Sequence, residues 1–149
     1  MIQVSLPNIS IIMKVSFRIK TALLSIGFLI VTKGLSIAQV DDWVAPKNVI
    51  DIKNPLAGNA EATKKGNKLY AQMCAICHGD LGKGDGIAGA SLNPSPGNFT
   101  LEKIQSQTDG VIFWKLTTGR PPMISYSEFL TEDQRWQLVN YIRVLGQKK

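Results

Sequence analysis

The 149-residue chain contains two cysteines, Cys74 and Cys77, and a single histidine, His78. A protein zinc site needs four such donors, or three plus water, so this supply leaves it short. No stretch alternates apolar and polar residues as a half-buried strand does, which sets β architectures aside and makes the fold class all-α. Long apolar runs are missing too. The most apolar segment, Thr21 to Thr32, is interrupted by Lys33 and is too short for a comfortable membrane span. Acidic residues are absent ahead of residue 39, whereas four cations (Lys14, Arg18, Lys20, Lys33) lie there, so the overall charge of +6 misrepresents the rest. Beyond that point 13 Lys and Arg face 11 Asp and Glu, about +2, and composition offers nothing to a nucleic acid. Gly82-x-Gly84-x-Gly86 has no strand before it and no Lys-Ser/Thr after it, so it is not a phosphate cradle.

What is present is Cys74-Ala75-Ile76-Cys77-His78. Two thiols three residues apart, with an imidazole directly after the second, is the spacing of c-type haem attachment. On one helical turn both thiols reach the vinyl groups of one porphyrin, and the adjacent ring nitrogen reaches the iron as an axial ligand. A thioredoxin-like dithiol needs its C-x-x-C at the start of a helix following a strand, whereas the residues before Cys74 read as helix.

Attachment of this kind occurs outside the bacterial cytoplasmic membrane, so an export signal is expected. Residues 1–38 supply one: a basic n-region, the apolar run from Thr21, and Ser36-Ile37-Ala38 as a small-residue cleavage site. Met13 begins a more ordinary signal than Met1 does, and Gln39 after the cut excludes a lipoprotein cysteine. The alternative fate is an uncleaved anchor, which implies membrane association. The remaining 111 residues, 39–149, suffice for one compact domain around a large cofactor, and the expected location is periplasmic.

Residues 39–58, with Pro46, Pro55 and Gly58, read as an extended arm whose one large anchor, Trp43, is expected to pack back onto the domain, the alternative being contact with a partner. Asn59 caps a helix from about Ala60 into the cysteine motif, with Ala62, Gly66, Leu69, Tyr70 and Met73 on one face. A mid-helix Gly66 costs about 1 kcal/mol against Ala and implies close approach by a crossing helix. The partner begins at the capping box Thr131-x-x-Gln134, shows Trp136, Leu138, Val139, Tyr141, Ile142 and Leu145, and is expected to stop at Gly146. Arg143, Lys148 and Lys149 sit at its dipole's negative end. A short helix opens at Thr108 or Asp109, runs through Phe113 and Trp114 and ends at Gly119, and the Gly-rich stretch from His78 to Phe99 is loop.

These residues resemble the class I c-type cytochromes, bacterial mono-haem proteins, over about residues 59–146. The likeness rests on Gly66, Leu69 and Tyr70, on the cysteine motif with Gly79, on Lys83-Gly84-Asp85-Gly86, on Gly119-Arg120-Pro121-Pro122-Met123, and on Trp136 through Arg143. It implies a cytochrome c domain over 59–149 with one haem c per chain, thioether bonds from Cys74 and Cys77, and iron ligation by His78. It also implies a second axial ligand from a methionine in the Pro-rich loop, which is Met123. The remaining methionines agree, because Met1 and Met13 lie in the signal and Met73 lies beside Cys74 on the proximal side. Relatives often have Pro after this Met; here Ile124 follows, and two prolines precede. The family further implies that Gly66 and Tyr70 meet Leu138 and Tyr141, and that a prolyl carbonyl accepts the free N–H of the proximal histidine. Pro96 is the expected acceptor, with Pro94 as the alternative. Trp114, Tyr126 and Phe129 are expected around the haem or in the general core, and Arg120 at a propionate or in solvent.

A six-coordinate His/Met haem has no open position for substrate, and methionine favours the reduced iron. The expected role is one-electron transfer to redox partner proteins over a small transient surface, as a free shuttle or as a haem subunit of a respiratory oxidoreductase in or at the membrane. The competing class is a haem enzyme or gas sensor with an open or displaceable sixth position. A distal acid or base is normally needed there, and the one histidine is already assigned.

Overall fold

The computed structural model describes residues 43–147; the expected signal peptide, its Met13 start and its cleavage site lie outside the described residues. The elements in chain order are α1 (Lys47–Ile50), α2 (Ala60–Met73), α3 (Ala75–His78), a 3-10 turn (Gly89–Ser91), α4 (Glu102–Gln105), α5 (Asp109–Thr118) and α6 (Glu132–Gln147). Among the described residues the only β pairing is an isolated bridge between Arg120 and Met123, so the fold is all-α.

Each long helix begins where its side chains can replace missing backbone acceptors. The Asn59 side chain accepts from the Ala62 N–H at 2.9 Å, opening α2. The capping box of α6 is reciprocal: the Thr131 N–H donates to Gln134 Oε1 at 2.8 Å and the Gln134 N–H to Thr131 Oγ1 at 3.3 Å. At α5, Thr108 accepts from the Val111 N–H, and Gly119 takes the left-handed φ of 65° that ends the helix.

Helices α2 and α6 cross at Gly66. A Cβ there would overlap the carbonyl of Gln137 and sit 3.2 Å from the Leu138 nitrogen, so only glycine lets the two backbones meet. One turn on, Tyr70 packs on Tyr141 with ring centroids 5.2 Å apart. The expected crossing is therefore present, and its fully buried centre holds Tyr70, Leu138, Val139, Ile142 and Leu145. Phe113 of α5 stacks on Trp136 at 3.9 Å, which brings the third helix onto the same core.

Two expectations need correction. The arm is not extended throughout: Lys47–Ile50 forms one helical turn, and Val49 is buried. The turn is too short to show periodicity in sequence, and tertiary contact produces it, since Gly110 at the start of α5 leaves room for the Val49 carbonyl and Ile52. Nor does Gly146 stop α6, which continues to Gln147. A side chain at Gly146 would overlap that of Gln105, whose Nε2 donates to the carbonyls of Phe99 at 2.6 Å and Ile142 at 3.0 Å. Its glycine serves packing rather than termination.

Behind the crossing lies a polar lock. Asn54 Nδ2 donates to Asn140 Oδ1 at 2.8 Å and to Asp109 Oδ2 at 3.2 Å, and Asn140 Nδ2 donates to the Leu56 carbonyl at 2.7 Å. Arg143 donates to Asp109 Oδ1 and to the carbonyls of Gln105 and Gln107. Expected to serve the helix dipole, Arg143 instead ties α6 to the start of α5 through charge-assisted bonds.

Gly66→Ala tests the crossing. Alanine is the better helix former by about 1 kcal/mol, yet overpacking at a backbone contact should lower stability by about 1–3 kcal/mol. A chemical-denaturation midpoint at or above that of the wild type would remove the crossing as the reason for glycine.

Candidate functional site

Helix α2 delivers the motif. Its last turn ends at Cys74, whose backbone (φ −113°, ψ −37°) leaves the helical path for one residue before α3 begins. The N–H groups of Cys77 and His78 both donate to the Cys74 carbonyl, at 3.1 and 2.9 Å, so the two cysteines and His78 occupy one turn. Both thiols are free; Cys74 is buried and Cys77 half-buried. Burial raises the Cys74 thiol to about 12, and a hydrogen bond with Tyr126 acts in the opposite direction.

His78 is oriented from both sides. Its Nδ1 lies 3.0 Å from the Gly97 carbonyl, and its ring stacks on Phe99 with centroids 4.4 Å apart and planes 16° from parallel. A carbonyl only accepts, so Nδ1 carries the proton and the Nε2 lone pair is left for a metal. Burial lowers the affinity of the ring for a second proton, partly offset by the bond to Gly97, and the neutral form is the one that ligates.

The acceptor is thus Gly97, not Pro96. Pro96 directs its carbonyl against Gly84, where a Cβ would lie 2.5 Å from that oxygen, so the next carbonyl along the chain faces the imidazole. Gly84, at φ +79°, belongs to a loop that folds back on the motif. The N–H groups of Gly84, Gly86 and Ala88 donate to the carbonyls of His78, Cys77 and Ile76 at 2.8, 3.2 and 2.9 Å. The last carbonyls of α3 are thereby satisfied by the glycine-rich chain. Tyr70 Oη adds a 2.6 Å bond to the Gly79 carbonyl, and burial pushes its phenol well above the usual range.

Met123 sits in a closed turn after α5. Arg120 and Met123 exchange backbone hydrogen bonds of 3.0 and 2.8 Å, with the two exposed prolines between them. Returning to α5, Ser125 Oγ donates to the Thr117 carbonyl at 2.6 Å and the Tyr126 N–H to that of Leu116 at 3.0 Å. Met123 itself is half-buried against the core. Tyr126 is buried, and its hydroxyl donates to the Met73 carbonyl at 3.3 Å, joining this loop to the end of α2. Trp114 is half-buried and meets Trp43, 6.4 Å between ring centroids, so the arm does pack on the domain. Arg120 lies over the Trp43 ring, and Phe129 is 63% exposed, outside the protein core.

The donor set fits a covalently attached haem. It offers two free thiols on one turn and a neutral imidazole with Nε2 available, while Ile76 and Ile87, 58% and 90% exposed, leave apolar surface on and beside the motif. Among the described residues no three His, Cys, Asp or Glu side chains group as ligands for a bare ion. The Gly97 carbonyl and Phe99 escaped sequence reasoning. Nothing in a peptide sequence marks which of several consecutive carbonyls turns toward a ring.

Tyr126 sets a pH dependence. Burial pushes its phenol up to about 12 in the folded protein, against an ordinary value of 10. Below pH 10 both states keep the proton and stability is unaffected. As pH rises from 10 to 12 the unfolded chain ionises first, so stability falls across that window. Tyr126→Phe should flatten this alkaline loss in denaturation midpoints measured against pH, and an unchanged slope would mean that Tyr126 is not held neutral.

Residues 61–142 match the family described as cytochrome c oxidase, cbb3-type, subunit III. No curated protein sequence matches the chain. Among solved structures it is similar to a chain of the reducing HAO-like protein complex of Kuenenia stuttgartiensis, with 28% identity and a TM-score of 0.55. The likeness covers 63% of this chain and 49% of that one, so the chain spans about half the length of its structural relative. With more than half of its residues matched, and with the attachment motif on one turn of an all-α fold, the chain belongs to this family of c-type cytochromes, whose cofactor is covalently bound haem c.

Proposed function

We propose that the protein is a periplasmic one-electron carrier whose single haem c is joined to Cys74 and Cys77 and ligated by His78 and Met123. The observation that carries this reading is the His78 geometry: Nδ1–H is held by Gly97, which leaves Nε2 as the donor and makes the ring a stronger one. Haem c supplies a one-electron couple when bound, and the chain's residues determine its environment. Cys74 and Cys77 fix the group to α3, Phe99 keeps the imidazole from turning, and Met123 offers a soft thioether from a turn closed by its own backbone bonds. The described residues present no second histidine for acid–base chemistry beside that haem, which favours electron transfer over catalysis.

The proposed organisation is a signal peptide over 1–38, an arm over 39–58 and the haem domain over 59–149. No helix among the described residues is long and apolar enough to cross a membrane. Membrane association therefore has two routes, retention of the signal or assembly with a membrane complex. Redox partner proteins are the proposed partners. The family description names an oxidase subunit, and a haem subunit delivering electrons within a respiratory oxidoreductase is the assembly this supports.

Intact-mass measurement of the exported protein under denaturing conditions should give residues 39–149 plus one haem. A mass lacking the haem would contradict thioether attachment. In the oxidised protein the far-red sulfur-to-iron absorption band should be present in the wild type and absent in Met123→Ala, whose reduction potential should fall. A band that survives the substitution would sink the His/Met assignment.

A further inference from the structure

The ring of Trp43 lies under two cations. The Arg120 guanidinium is 4.9 Å and Lys115 Nζ 5.2 Å from its centroid, and Trp114 packs beside it. All three partners belong to α5 or to the turn that leaves it. Arg120 is also half of the paired turn, accepting from the Met123 N–H and donating to the Met123 carbonyl. Its side chain is held by the arm while its backbone is held to Met123. The other half of the loop is tied to α5 through Ser125 and Tyr126. Between these ties Pro121, Pro122 and Ile124 are exposed, and of the tip only Met123 packs against the core.

We propose that Trp43 is a positioning residue for Met123: by gripping Arg120 it holds the Arg120–Met123 turn closed and so sets how often the thioether leaves the iron. This rests on the reading of Met123 as the second axial ligand. The arm suits the role because it is not a loose tether. Val49 is buried against the start of α5, and Asn54 is bonded to Asn140 and Asp109, which fixes the chain a few residues beyond Trp43. Tryptophan is the strongest aromatic partner for a cation, and here the ring is half-buried, where the attraction is less screened. Swinging the turn outward requires Arg120 to give up that contact.

Cyanide binding to the ferric holoprotein reads the opening, since the anion reaches a His/Met iron only after the methionine has left. In stopped-flow measurements on the full-length exported chain, Trp43→Ala should raise the association rate by about 3- to 30-fold, the range of a cation–π contact converted at about tenfold per 1.4 kcal/mol. Arg120→Gln should do the same, Trp43→Phe should lie between the wild type and Trp43→Ala, and Trp43→Ala with Arg120→Gln together should add nothing to either alone. The far-red band should persist in every variant. Val49→Ala, which keeps the ring and loosens only its anchor, should raise the rate by less than Trp43→Ala does. Unchanged rates in Trp43→Ala and Arg120→Gln, additive effects of the two, or an equal acceleration in Val49→Ala would overturn the positioning role while leaving Met123 as ligand. A wild type lacking the far-red band and taking up cyanide without delay would overturn the Met123 assignment, and this inference with it.

Discussion

The contact between the backbones of α2 and α6 at Gly66 governs where everything else lies. Gly66, Tyr70 and Cys74 fall at four-residue steps along one face, so the crossing that seats the first also places the third. Tyr70 converts that placement into loop geometry, because its ring lies on Tyr141 and its hydroxyl holds the Gly79 carbonyl just beyond His78. Moving the helices apart by one methyl group at Gly66 would shift the whole stripe. The thiol, the phenol and the start of the glycine-rich loop would all move with it.

A second constraint carries the crossing to the opposite side of the domain. Asp109 is both the first residue of α5 and the acceptor for Arg143 and Asn54, so α5 is tied at its start to α6 and to the arm. These bonds are partly buried and charge-assisted, and a member that lost its partners would be left desolvated. The other end of α5 leads directly into the turn that carries Met123. A helix fixed at its first residue and stacked through Phe113 on Trp136 has little freedom to change where that turn begins.

How much of this was legible in the sequence depended on the kind of interaction. Helices α2, α5 and α6 were visible with their caps, because Asn59, Thr108 and Thr131 act within three residues of themselves. The crossing was visible too, since a glycine that weakens a helix needs a reason to be there. What failed involved long-range contact without a local signature. Gly146 reads as a stop signal but serves Gln105, forty-one positions earlier. The arm reads as extended because one helical turn is too short to show a period. Pro96 was expected to face His78, and the choice between its carbonyl and that of Gly97 depends on how the loop sits against Gly84. The clamp of Trp43, Lys115 and Arg120 joins residues more than seventy positions apart, and each alone reads as ordinary surface or core.

The electrostatics of the site point in one direction. Burial disfavours charge on His78, Cys74, Tyr70 and Tyr126 alike, so the groups nearest the attachment motif are held neutral across the ordinary pH range. In the proposed His/Met site, Cys74 becomes a thioether and His78 is committed to the iron through Nε2. Burial also holds the phenols of Tyr70 and Tyr126 protonated across the ordinary pH range. Desolvation by burial, rather than a charged partner, is the first cause of the shift in each of these phenols. Neutral, buried groups around the attachment motif are the environment that the proposed electron-carrier role calls for.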